Sequence, residues 1–224
     1  MANNYYEATG LLSLERVTPV IVALFGAFHL DANYPGSGRA YIARIAETND
    51  PQWDDVLEGL TGLAEQLGIS PNAEAEATIV VVLEKLAAHF HADQDEAFEN
   101  LLEHHSFEGD ADLEVLFFIA SCFDDGHNLV SIQFEGCWYC SKPRLFEFGG
   151  HACFISREIS LFSDTPQMLR LGKDLHRALQ EGNITEAAAR ITFATAGFLA
   201  GIQDSNSRKA LRKRVAESLL QGQD

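Results

Sequence analysis

Leu129-Val130-Ser131-Ile132-Gln133-Phe134-Glu135-Gly136-Cys137-Trp138-Tyr139 alternates between two kinds of side chain. Val130, Ile132, Phe134 and Trp138 fall on one side, Ser131, Gln133 and Glu135 on the other, the period-two pattern of a strand with one buried face. Turn residues follow at Ser141-Lys142-Pro143-Arg144, then a short apolar run, Leu145 to Phe148, a Gly149-Gly150 turn and a third run, His151 to Glu158. Strands joined by connections this short pair antiparallel, so the region is expected to form a meander.

Towards the C-terminus the periodicity becomes helical. Thr165-Pro166 opens one helix, Asn183 with Glu186 makes a capping box for a second, and Asp204 or Ser205 caps a third with the apolar line Leu211, Val215 and Leu219. Towards the N-terminus, Tyr5 to Leu14 reads as a strand with Tyr6, Ala8, Gly10, Leu12 and Leu14 on one face. Val17 to Phe28 is a helix with Pro19 in its first turn, where a missing N–H costs nothing. Turn chemistry at residues 33–38 leads to a second strand, Ala40 to Glu47. A β-α-β opening of this kind favours a parallel pair.

Between the two sheet regions lie helices. Trp53, Val56, Leu60, Leu63 and Leu67 form an i, i+3/i+4 stripe after Asp50-Pro51. Glu74 to His89 repeats it through Ile79, Val82, Leu83 and Leu86, and Asp95 to His105 through Phe98, Leu101 and Leu102. Asp112 to Phe123 is apolar nearly all round, and its length assigns it to helix. The expected class is α+β: a mixed sheet of about five strands covered by helices. Residues 1–160 would form the main domain, with an acidic helical insertion at about 50–123, and residues 161–224 a C-terminal helical subdomain packed on it.

With 46% hydrophobic residues and fifteen Phe, the 224-residue chain has ample core material and is not a solvated coil. Its longest apolar runs, Val17 to Phe28 and Ile191 to Ile202, fall short of the ~20 residues of a membrane span, so both are expected as buried helices and no membrane association is expected. Met1 to Glu15 lacks the basic and apolar regions of a secretory signal, and four cysteines do not make a disulfide framework. A reducing, cytoplasmic location is the expectation.

Charge is distributed unevenly. Ile45 to Glu135 carries twenty-one Asp and Glu against one base, Lys85, whereas Ser141 to Asp224 carries twelve Lys and Arg against nine acids. The net charge of −17 thus joins an acidic body to a mildly basic end. Such a body repels phosphate backbones, so direct nucleic-acid binding by it is not expected, and it attracts cationic partners. The expected function is therefore non-enzymatic docking onto a basic macromolecular surface, with Asp54, Asp55, Glu58, Asp93, Asp95, Glu96, Glu99 and Glu103 as the binding residues. Carboxylates spaced along helices can imitate a duplex, which bears a charge every ~1.7 Å, so a nucleic-acid-mimicking inhibitor or regulator belongs to the same class. The competing reading is a solvated surface that only confers solubility.

Arg208, Lys209, Arg212, Lys213 and Arg214 give the last helix a cationic face. It is either solvated, a contact for RNA, DNA or anionic lipid, or a partner for the acidic body of another copy in a homodimer.

The alternative function is a zinc-containing protein. Cys137, Cys140, His151 and Cys153 follow the spacing C-x2-C-x10-H-x-C, and tetrahedral zinc accepts Cys3His. Against it, one continuous strand would send Cys137 and Cys140 to opposite faces. His89, His91, His104, His105 and His127 among carboxylates suggest a pH-sensitive patch, and Cys153 with His151 a nucleophile pair. The motifs GxGxxG, GxxxxGK[ST] and GxSxG do not occur, and Gly36-Ser37-Gly38 opens a strand, not a helix.

Overall fold

The computed structural model describes residues 3–69 and 78–222. Its centre is a six-stranded sheet of β1 (Asn4–Ser13), β2 (Asp31–Pro35), β3 (Arg39–Ile45), β4 (Ser131–Cys140), β5 (Gly149–Ser156) and β6 (Ser160–Asp164), in the order β2-β3-β1-β4-β5-β6. Helices α1 (Pro19–Phe25), α2 (Trp53–Gln66), α3 (Ile79–Phe90), α4 (Glu96–His104) and α5 (Leu113–Cys122) belong to the body, and α6 (Thr165–Gln180), α7 (Ile184–Ala200) and α8 (Ser205–Leu220) to the C-terminal end. The class is α+β. The start expected for α3 at Glu74 lies outside the described residues; the described helix begins after Thr78, whose hydroxyl accepts from the Val81 N–H.

The sheet is antiparallel throughout, not mixed. The crossover through α1 does return the chain in the direction of β1, but it lands on β2. A tight turn then reverses β3 into the gap between them, so that Leu12 faces Ala40 and Ser13 faces Arg39 across an antiparallel pair. Gly36 and Gly38 adopt φ of +80° and +75° in that turn, conformations open to glycine at little cost. Asp-Ala-Asn-Tyr-Pro escapes recognition as a strand because it is an exposed edge, with no buried face to impose alternation and with a Pro that only an edge tolerates.

The meander forms with different members. Leu145 to Phe148 is not a strand; it lies in the connection between β4 and β5, with Leu145 86% exposed and Phe146 at a φ of +63°. The third strand is β6, after a tight turn in which the Ser156 hydroxyl accepts from the backbone of Glu158 and Ile159.

The helices of the body cover one face of the sheet. Leu12, Ile42, Ile132 and Ile155 project from four strands onto Leu24 and Phe25 of α1, Leu60 of α2, Leu86 of α3 and Ile119 of α5, all essentially inaccessible to water. At Gly59, α2 comes so close to α1 that any side chain would collide with the Ala23 carbonyl. By contrast, α6 buries only Ala178, α7 only Ala187 and α8 none of its described residues.

Candidate interaction surfaces

The eight carboxylates singled out by sequence are all exposed. Six of them belong to two helices, and Asp93 and Asp95 precede the second. On α2, Asp54 and Glu58, four residues apart, share a stripe with Glu65, seven residues beyond Glu58. On α4, Glu96, Glu99 and Glu103 recur at i, i+3 and i+7, opposite the buried Phe98. Charges three or four positions apart stand ~4.5–6 Å apart along a helix axis, and those seven apart ~10.5 Å. The start of α2 is tied to the segment after α4: the Trp53 N–H donates to the Gly109 carbonyl at 3.0 Å, and the Trp53 ring packs edge-on against His105 and Phe107. Asp93 lies in the turn before α4.

Two of the eight also have structural duties. Asp95 caps α4, accepting from the N–H groups of Ala97 and Phe98 at 2.8 and 3.2 Å. Asp55 closes a capping box with Gln52 at the start of α2. Asp55 and Glu58 further line a groove of about 760 Å³ between α1 and α2, beside the exposed Val22. Neutralisation in the body falls elsewhere: Arg44 pairs with Asp50 and Asp110, and among the described residues none of the eight enters an ion pair. Hydrogen bonds from Gln52 and Arg44 hold the Asp110 carboxyl below its usual range.

The proposed zinc ligands are not brought together. Being three apart on the continuous strand β4, Cys137 is exposed on the open face while Cys140 is buried on the other. His151 lies opposite Gly136 and Cys153 opposite Phe134, both on the core-facing side. His151 Nε2 is taken by the Tyr6 hydroxyl at 2.6 Å. Among the described residues no three His, Cys, Asp or Glu side chains gather in a way that would hold an ion. Among the described residues, the hydrogen bond that His151 makes is to Tyr6 and not to Cys153. Burial pushes the Cys153 thiol up to about 11, and burial together with Arg44 lowers the affinity of His151 for a proton.

The histidines of the acidic block are dispersed. His127 is fully buried, its Nδ1 accepting from the Leu129 N–H at 2.8 Å and its Nε2 within 3.0 Å of the Ala120 carbonyl. His105 packs edge-on in the Trp53 cluster and His91 ends α3 with a φ of +60°.

The open face of the sheet is a surface that alternation in β4 hints at but does not describe. A groove of about 780 Å³ runs over it, lined by Leu11, Tyr34, Tyr41, Phe154 and Phe162, with Phe198 arriving from α7. The odd-numbered positions of β4 are polar, which is why that face reads as solvated. The aromatic residues come from strands and a helix distant in sequence.

These features define an α+β protein with an acidic helical body and an uncovered sheet face. No helix among the described residues is long and apolar enough to cross a membrane. Compared with protein-family models, curated proteins and solved structures, the chain gives no match in any of the three.

Proposed function

We propose that the protein acts by binding, its acidic body docking onto a basic macromolecular surface. The observation that carries this reading is the pair of carboxylate stripes on α2 and α4, exposed and joined by no ion pair given among the described residues. A field of one sign costs stability through self-repulsion and speeds encounter with the opposite sign, so it steers and orients more than it grips. Nucleic-acid mimicry is a specific form of the same function, since carboxylates along a helix present a line of negative charge, as a phosphate backbone does, though more sparsely.

Capture from cell extract on immobilised protein tests the proposal. A basic partner should be retained at ~50 mM salt and released by ~300 mM, the steep dependence of a contact made by many charges. The triple variant Glu96→Gln, Glu99→Gln, Glu103→Gln should lose at least tenfold in affinity while keeping its helix content. Equal retention of the partner by wild type and variant at both salt concentrations would refute the assignment.

A further inference from the structure

Helix α7 is composed as a helix that is buried. Ile184, Ala187, Ala188, Ala189, Ile191, Phe193, Ala194, Ala196, Phe198, Leu199 and Ala200 leave little polar surface on its seventeen residues. A helix apolar nearly all round belongs inside a core, and sequence periodicity alone assigns it there. In the single chain, however, only Ala187 is buried.

The exposed residues form a pattern. Ile184, Ile191 and Phe198 recur every seven residues, with the small Ala188 and Thr195 between them, a seam of the kind along which helices pair. Helix α6 runs back along α7, held by Ala178 and Ala187 and by the ion pair from Arg190 of α7 to Asp174 of α6. Helical periodicity then puts Met168 and Leu179 of α6 on the same side of the hairpin as the α7 seam. These five side chains, all more than half exposed, present roughly 500 Å² of apolar surface, as much as the largest patch usual on a monomer. With the flanking small residues, the area approaches the ~800 Å² that each partner contributes to a standard interface.

We propose that this hairpin face is an interface between two copies of the chain, α6 and α7 of each packing on those of the other as a four-helix bundle about a two-fold axis. An isologous contact gives each seam a partner of matching shape. Charge favours a second copy over an unrelated occupant. The next helix, α8, carries five bases, and its ion pairs among the described residues run from Lys213 and Arg214 to Glu217 on the same helix. The chain thus holds an acidic body and a cationic helix that do not neutralise each other, and a second copy complements both at once.

This inference is independent of the docking function, because its apolar contact does not use the carboxylate stripes. Sedimentation equilibrium tests it. The wild type at ~50 μM should run at twice the chain mass of 24.7 kDa and should remain so at ~0.5 M salt, where charge-driven docking is lost. Ile191→Asp, at an already exposed position, should weaken association at least a hundredfold with unchanged helix content. Phe193→Asp, on the opposite side of α7 and 82% exposed, should leave the dimer intact. A wild type at 24.7 kDa, or an Ile191→Asp variant that still dimerises, overturns the proposal. Flotation of the wild type with phosphatidylcholine–phosphatidylglycerol vesicles would overturn it in favour of lipid.

Discussion

Tyr6 and His151 show how much depends on single groups inside the sheet. The two rings lie parallel, 5.6 Å apart, and share a 2.6 Å hydrogen bond, with the Arg44 guanidinium over the Tyr6 ring at 5.2 Å. Burial, and then the neighbouring Arg44, make the charged imidazole unfavourable, so the folded state binds the proton less tightly than the unfolded chain does. The sign follows: the stabilising contribution is complete above the ordinary value of 6.5 and is lost as pH falls towards the lower folded value. Urea unfolding of the wild type should therefore give lower stability at pH 5 than at pH 7.5. In His151→Phe that part of the pH dependence should shrink. An unchanged difference in the variant would show that other groups carry it. Tyr6 is legible as an inward residue from β1 alone, but its partner, 145 positions away, is not.

At the scale of elements, local chemistry and tertiary packing can be separated by substitution. Asp95, one of the eight carboxylates expected to bind, also caps α4, so Asp95→Ala should cost about 1 kcal/mol of stability, as lost caps usually do. Glu99→Ala, on the same helix without a cap to lose, should stay within about 0.5 kcal/mol. Comparison of their urea midpoints checks this, and equal effects would deny Asp95 its capping duty. The helices themselves were legible because α2, α3 and α4 each carry a periodic stripe that ends in a buried face. The edge strand β2 and the short β6 were not, since neither has a continuous inner face to pattern it. Leu145 to Phe148 misled for the opposite reason, being apolar without being buried.

The whole molecule is governed by its charge distribution. With a net charge of −17, repulsion among the body's carboxylates opposes the compact state. Screening should relieve it: raising salt from ~20 to ~300 mM shortens the Debye length to below 10 Å. At pH 7.5 the Tm should rise by ~2–4 °C, the effect of about 1 kcal/mol in a chain of this size. A Tm that falls with salt would mean that attractive pairs outweigh the repulsion. The C-terminal helices are thinly packed as well as mildly basic, and it is there that the proposed second copy would dock.

By itself the sequence determined the α+β class, the meander, most helices and the acidic character of residues 45–135, because hydrophobic period and formal charge are local properties of the chain. Only the tertiary structure decided that β3 inserts antiparallel between β1 and β2, that His151 meets Tyr6, and that α7 stays exposed. Those outcomes depend on which distant surfaces meet, and pairing across a sheet or between helices leaves no periodic trace in either partner.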